Sequence, residues 1–528
     1  MSFSGRTLMR KISILACVLV AAAVFCGRAS ATVQVGVTED AGKSDDGGVW
    51  FFSTLRDLGM TQNRITIAWD PSAPMTIRNQ YEIDAWIPQA AIYGVQVVFA
   101  VVPLHARDLT SSPDAPAKFA QFCALLARTY PVVKDFVIGN EPNQPRFWQP
   151  QYDSSGHGVS GAAYEPVLAH SYDALKAVDP KIRVIGIGLS PRGNDNPRAR
   201  DNVSISPTRF LRDLGVAYRA SHRTKPLMDE FAFHPYPPQN VDGPDVGYNW
   251  PNIGLPDLAR LKQDVWDTFY GTAQPTFQEN TGNHAASGGL TLDLDEVGWE
   301  VAIPASLQPL YHGTETKRPI DEQTQAKYYS DTIRFVVCDP TVRTFSIFHL
   351  IDESDLERWQ SGLFRVDLSK RPSYDAVKQA IHDTQGKCAG TYDTWTHTTS
   401  VINPNVLFVD ALRRQPAWKR KWSLMASVGE EAAFRAGIFR VKGPKATAAE
   451  RLAFARALAG RHTARPVLSA KGILRQNARR LVAFPRRRVK AGYYVYAVRL
   501  TATMNPARAK IYVARPIQVG TPRKRSPK

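Results

Sequence analysis

Val137-Ile138-Gly139-Asn140-Glu141-Pro142-Asn143 is an apolar run, opened by Asp135 and Phe136, that breaks at a glycine into a polar turn carrying a carboxylate. Residues 135–138 are too few for a helix, and a run without alternation fits a strand buried on both faces. Working outward, runs of the same kind occur at 33–37, 64–68, 96–102, 182–187, 230–233, 290–294 and 344–350. The segments between them have helical period. Tyr329, Ile333, Val336 and Val337 make one apolar face, and Tyr374, Val377 and Ile381 make another. Parallel strands need such crossovers. Eight strand–helix units over 32–388 predict an α/β fold, a (β/α)8 TIM barrel with long loops. An open doubly wound sheet is the alternative. No Gly-rich G-x-G-x-x-G turn follows an early strand, and Gly42-Lys43-Ser44 after the first run lacks the leading glycine of a G-x-x-x-x-G-K-[ST] loop, with Val37 in its place, which counts against its nucleotide-binding form.

A barrel places its chemistry where strands end and loops begin, so the residues closing each run are the candidates. Strand two begins with Arg64 and ends near Trp69-Asp70, and strand three ends at His105. Strand four closes in Asn140-Glu141, strand six in His234-Pro235-Tyr236, strand seven in Asp295-Glu296-Val297-Gly298-Trp299, and strand eight in Phe348-His349. Glu141 and Glu296 thus end strands four and seven, which face each other across a barrel mouth. Two such carboxyl groups are what glycoside hydrolysis needs, one to protonate the leaving oxygen and one on the other side of the sugar.

V-I-G-N-E-P-N (137–143), F-H-P-Y (233–236) and D-E-V-G-W (295–299), together with G-L-F-R-V-D-L-S-K-R-P-S-Y-D-A (362–376), resemble motifs of the large clan of retaining glycoside hydrolases with (β/α)8 barrels. Within it the chain resembles the cellulase-like family 5 and the xylosidase/iduronidase-like family 39. The ordered set carries the resemblance, which spans roughly 32–385. It implies Glu141 as acid/base and Glu296 as nucleophile. It implies Asn140 on the sugar 2-hydroxyl, Tyr236 orienting Glu296, and Arg64 holding Glu296 by charge. His234 would line the sugar site, and Trp299, Trp148 and Trp69 would be stacking platforms, with His105 a further sugar contact. Many clan members carry Trp at the end of strand eight; here Phe348 and His349 stand there and are expected to shape the subsite. No cofactor or metal is implied.

Each residue also has a plain structural reading. Glu141 could satisfy a helix N-terminus, Glu296 could belong to a solvated acidic loop with Asp293, Asp295 and Glu300, and Arg64 could pair with a core acid. Strand alternation places Asp295 and Glu296 on opposite faces. The competing function is a non-catalytic carbohydrate- or cell-wall-binding protein on the same scaffold.

The chain has 528 residues and a net charge of +18, with 22% charged and 44% hydrophobic residues, an ordinary globular composition. The charge is unevenly spread: +4 over 1–31, −10 over 32–388 and +24 over 389–528. Residues 1–31 combine Arg6, Arg10 and Lys11, an apolar stretch at 12–26 and Ala29-Ser30-Ala31, and are expected to be a secretory signal peptide, with an uncleaved anchor as the alternative. The mature chain is therefore expected to be extracellular, without a transmembrane span. Of the cysteines left, Cys123 falls on an apolar helical face. Cys338 ends one helix and Cys388 follows another, which predicts a Cys338–Cys388 disulfide at the bottom of the barrel.

Residues 389–398 are expected to be a linker, 399–519 a basic β-rich domain, most simply a β-sandwich, and 520–528 a basic tail. Alternating runs lie at 405–409, 422–428, 433–441, 493–501 and 509–513, with one helix at 447–459. Arg486-Arg487-Arg488 and Arg523-Lys524-Arg525 would attract an anionic cell-wall or surface polymer. No nucleic-acid reader module is recognisable. The expected substrate is a poly- or oligosaccharide.

Overall fold

The computed structural model describes residues 32–281, 288–408, 422–461, 463–485, 487 and 489–520. The expected leader, Arg486, Arg488 and the tail beyond Gly520 lie outside the described residues. Strands β1 (Gln34–Thr38), β2 (Gln62–Trp69), β3 (Gln96–Pro103), β4 (Asp135–Ile138), β5 (Arg183–Leu189), β6 (Glu230–Phe233), β7 (Thr291–Val297) and β8 (Val342–Ile347) form a closed barrel in chain order. Every neighbour is parallel, and β1 pairs with β8 to complete the ring, which excludes the open sheet. Outside it lie helices α1 (Val49–Leu58), α2 (Gln80–Ile92), α3 (Ala115–Thr129), α4 (Ser160–Val178), α5 (Pro207–Ala220), α6 (Leu258–Phe269), α7 (Glu322–Val336) and α8 (Pro372–Thr384). Their apolar stripes, such as Phe119, Phe122, Cys123 and Leu126 of α3, pack on the outward residues of the strands in one continuous core. Burial pushes the Cys123 thiol up to about 12, so it is chemically quiet. None of the described helices is long and apolar enough to cross a membrane.

The barrel interior is layered. At its base Arg343 holds Glu230 at 2.7 Å and Asp135 at 3.4 Å, and Arg183 reaches Asp135 at 2.6 Å. Above this charged floor sits a small belt of Val98, Ala100, Val137, Ile185 and Ala232. The polar groups of the mouth lie above the belt. Gly298, just past β7, allows two strand ends to close: a Cβ there would stand 2.2 Å from the Phe348 carbonyl oxygen. Cys338 and Cys388 are joined by a disulfide with a Cα–Cα distance of 4.6 Å, tying the end of α7 to the segment after α8.

The C-terminal part holds β9 (Asn405–Leu407), β10 (Ser423–Ser427), β11 (Ala432–Val441), α9 (Ala448–Leu458), β12 (Leu468–Leu474), β13 (Arg480–Ala483), β14 (Gly492–Ala502), β15 (Ala509–Val513) and β16 (Ile517–Val519). Two antiparallel sheets, β13-β10-β9 and β12-β11-β14-β15 with β16 on β14, enclose one core of Leu424, Val482, Phe434, Ile438, Tyr496 and Val498. Helix α9 covers the outer face of the larger sheet through Phe454 and Leu458. Strands β12, β13 and β16 were not anticipated from sequence. The first two are largely exposed sheet edges whose alternation is broken by Lys471, Gly472 and Arg480, and β16 has three residues.

The segment expected as a linker is strapped to the barrel. Asn280 and Trp395 exchange backbone hydrogen bonds at 2.8 Å, and the His397 ring stacks on Trp266 at 4.2 Å. Arg508, 1% exposed, joins the two parts: its guanidinium lies 2.7 Å from Asp267 of α6 and 2.6 Å from Glu430. Burial pushes the Asp267 carboxyl up to about 6 despite that cation. Removing one member of such a group leaves uncompensated buried charge. Arg508→Met is expected to lower the unfolding free energy by about 3–5 kcal/mol in urea denaturation at neutral pH; a change below about 1 kcal/mol, the scale of a solvated surface pair, would contradict this.

Candidate active site

The mouth of the barrel is organised around a buried guanidinium. Arg64 of β2 is 3% exposed. Its Nη1 donates to Glu296 Oε1 at 2.8 Å, its Nη2 donates to Asn140 Oδ1 at 2.8 Å, and its Nε lies 3.1 Å from Asp295 Oδ2. Asn140 follows β4, and the two acids end β7, so one side chain fixes the relative position of three strands. On the other side of the acids is His234, which directly follows β6 and is 0% exposed. Its Nδ1 lies 3.0 Å from Glu141 Oε1 and 3.5 Å from Glu296 Oε2, and its Nε2 lies 3.3 Å from Asp295 Oδ1. Because both glutamates rest against the same nitrogen, those two oxygens are at most about 6.5 Å apart. Tyr236 completes the set, its hydroxyl donating to Glu296 Oε2 at 3.2 Å.

Two backbone irregularities produce this convergence. The β7–β8 register runs from Leu294↔Phe345 to Val297↔Ile347, so β7 carries one extra residue there. Such a bulge re-aims side chains, and here both Asp295 and Glu296 reach Arg64 and His234. The opposite-face placement expected from alternation is overturned for that reason. At β4, Glu141 has φ 38°, after Gly139 at φ 81°, and its N–H donates to the Gly188 carbonyl at 2.8 Å. A non-glycine residue in the left-handed region costs on the order of 1–3 kcal/mol and is kept where surrounding structure demands it. Here the turn brings the carboxyl back toward His234. Helix α4 begins at Ser160, so Glu141 does not cap a helix.

Electrostatics follow from burial and pairing. Burial alone would push His234 down, but the charges of Glu296 and Asp295, with the hydrogen bond to Glu141, outweigh it and hold the imidazole at about 10. Burial would raise Asp295, yet His234 and Arg64 keep it below the ordinary carboxylate range. Burial and the nearby Glu296 and Glu141 push the Tyr236 phenol well above its usual value, so its hydroxyl stays a donor.

Above these groups is a cleft of about 400 Å³ lined by Glu141, Gln144, Arg192, Tyr236, Arg318 and Trp359, among others. Trp359 lies in the loop between β8 and α8, its ring 4.8 Å from that of Tyr236, with Lys317 Nζ 3.7 Å over it. Sequence reading missed Trp359. The available signal was an aromatic residue among polar neighbours in a loop after a strand. The loop is held by Asp352, which is paired with the buried Arg371 at 2.5 Å and accepts from the Gly362 N–H at 2.9 Å.

Several expected contacts fall elsewhere. Trp69 and Trp299 are buried and pack on helices: Trp69 meets Phe119 edge-on at 5.5 Å, and Trp299 lies between Tyr328 and Tyr329 with its Nε1–H donating to the Asp242 carbonyl at 2.9 Å. Trp148 is likewise buried, against Tyr164 at 5.8 Å. None of the three is a stacking platform, because each large ring finds an apolar helix face. His234 lies beneath the carboxylates rather than lining the cleft. His105 is exposed, paired with Asp108 at 3.4 Å, and does not line the cleft. Phe348 backs the aromatic wall, 6.4 Å from Tyr236 and 5.5 Å from Trp359, without lining the cleft.

No family model matches the chain, and no curated protein sequence matches it. Similar solved structures include a family 39 glycoside hydrolase from Bacteroides cellulosilyticus WH2, 17% identical, with a TM-score of 0.47, covering 79% of this chain and 74% of that one. A GH39 enzyme from Xanthomonas axonopodis pv. citri is 13% identical with a TM-score of 0.44, covering 86% and 92%. A GH39 β-xylosidase from Caulobacter crescentus is 14% identical with a TM-score of 0.43, covering 86% and 96%.

The raised His234 value has a signed consequence. Its contribution to stability is complete below 6.5, the ordinary value, and is lost as pH rises through about 10. Nitrogen-15 spectra at about pH 8, well above an ordinary imidazole's titration, are expected to show both ring nitrogens protonated. A neutral ring there would refute the charge arrangement.

Proposed function

We propose that this chain is a secreted retaining glycoside hydrolase that cleaves O-glycosidic bonds of a poly- or oligosaccharide by double displacement. The observation that carries the reading is the clamp on the two glutamates. Glu296 is bound by the Arg64 guanidinium and the Tyr236 hydroxyl, while Glu141 shares His234 with it across a narrow gap. Retaining enzymes hold their carboxyl groups about 5–5.5 Å apart, inverting ones about 6.5–9.5 Å. The upper bound of about 6.5 Å between the facing oxygens supports the former.

In the first step Glu296 attacks the anomeric carbon as the bond to the leaving oxygen breaks, and Glu141 gives that oxygen its proton. The product is a glycosyl ester on Glu296. In the second step Glu141 takes a proton from water, the water oxygen attacks the anomeric carbon, and Glu296 leaves as the carboxylate. Asn140 spends its Oδ1 on Arg64, so its amide N–H groups remain to donate to the 2-hydroxyl. Trp359 lines the cleft beside Tyr236, with the Lys317 ammonium over its ring. Arg64, His234 and Tyr236 act as positioning residues. Export rests on residues 1–31, and detection of a mature chain beginning at Thr32 outside the cell tests it. The basic C-terminal sheets are assigned to contact with an anionic polymer.

Glu296→Ala is expected to lose hydrolysis, and added azide is expected to restore turnover with inverted product configuration; full activity without azide would overturn the assignment. Glu141→Gln is expected to cost about 10²–10⁴-fold on substrates with poor leaving groups. On aryl glycosides whose leaving group needs no proton the loss in glycosylation should be far smaller, and an equal loss on both would remove Glu141 from the acid role.

A further inference from the structure

The larger C-terminal sheet sets like charges directly opposite one another. Lys471 of β12 faces Arg435 of β11, and Arg435 faces Arg499 of β14. Opposed like charges weaken a sheet, so a row of cations across three strands carries a cost. The row lies on the face that α9 covers, because Arg435 and Arg499 alternate with Phe439, Val441, Val495 and Ala497, which pack on Phe454 and Leu458. It stands just past the end of α9. A Cβ on Gly460 would be 3.6 Å from Arg435 Nη1, so that guanidinium reaches the helix terminus. There Arg456 and Arg461 join Arg499, with Ala455, Ala459, Ala509 and Ile511, around a depression of about 440 Å³.

No acid answers these five cations among the described residues. Of the described acids from residue 399 onward, Glu430 is taken by Arg508, Glu431 by Arg209, and Glu450 by the N-cap Thr447 of α9. Arg499 Nε is shielded from solvent and has no hydrogen-bond partner. An anion laid along the row would remove the mutual repulsion and supply the missing acceptors.

We propose that Lys471, Arg435, Arg499, Arg456 and Arg461 form a binding cradle for an acidic polysaccharide, whose carboxylates lie along the row. This deepens the assignment of the C-terminal sheets to an anionic polymer and rests on it; only the choice of a glycan as that polymer also draws on the glycosidase reading. Two observations select a polysaccharide over a nucleic acid. Among the described residues the apolar lining is alanine and isoleucine, with no aromatic ring on which a base would stack. The cleft of the same molecule is itself lined by Arg192 and Arg318, so an anionic glycan is complementary to both surfaces.

The test uses the full chain and polygalacturonate as probe, in low and raised salt, with neutral dextran, polyphosphate and single-stranded DNA as comparisons. Binding to polygalacturonate is expected to weaken as salt rises, with none to dextran. The pair Arg435→Gln and Lys471→Gln is expected to weaken it at least tenfold. A second pair, Arg456→Gln and Arg461→Gln at the exposed helix end, keeps the test decisive if the first disturbs the sheet. Binding unchanged in the second pair would overturn the site. Polyphosphate or DNA binding tighter than polygalacturonate at equal salt would overturn the ligand class. Hydrolysis of a small aryl glycoside is followed in parallel and is expected to be unaltered in both pairs. Its absence from the unmodified chain would count against the glycosidase reading and leave the binding result standing on its own.

Discussion

Arg64 is buried beneath the mouth of the barrel, and the geometry of the site depends on it. A guanidinium taken out of water is tolerated only where its donors are matched. Here Glu296 and Asn140 accept from its two Nη groups, and the Asp295 carboxylate, 3.1 Å from Nε, answers its charge; these side chains come from the ends of two other strands. Removing any one partner would leave charge or dipole buried without an answer. The clamp thus defines where the Glu296 carboxylate stands, and through His234 it also locates Glu141. Two cations, Arg64 and His234, stand among the carboxyl groups of Asp295, Glu296 and Glu141, which keeps three acids together in a small space.

The fold contributes rigidity and local irregularity in different places. Eight paired strands and an apolar belt make the lower barrel a fixed platform. The clustering of the acids around Arg64 and His234 depends on departures from regularity at the upper rim: the extra residue in β7 and the left-handed turn at Glu141. Sites commonly keep strain of this kind where the scaffold can hold it. The loop that supplies Trp359 is also held, by the buried Arg371–Asp352 pair beneath it. The stretch at 362–376, which supplies Arg371, therefore acts at one remove, by holding a loop rather than by touching the cleft.

Much of the site was legible because strand ends in a barrel are forced to one mouth. Glu141, Glu296, Asn140, Arg64, His234 and Tyr236 all close or line strands, and the structure brings all six together. The misreadings share a cause. Trp69 ends β2, Trp299 closely follows β7 and Trp148 lies in the loop after β4, but side chains there can turn outward, and a large apolar ring is more stable against a helix than over a polar mouth. Trp359 was missed because its position depends on a loop path that local pattern does not specify.

By itself the sequence determined the number of strand–helix units and the polar residues at their ends, because periodicity and burial are local properties of the chain. It also determined the segregation of charge, acidic over the barrel and basic beyond it. Only the tertiary structure decided that Asp295 and Glu296 share a side, that His234 lies beneath both glutamates, and that Lys471, Arg435 and Arg499 stand in one row. Register, bulges and loop paths are settled by contacts between residues far apart in sequence, and no local pattern encodes the energy of those contacts.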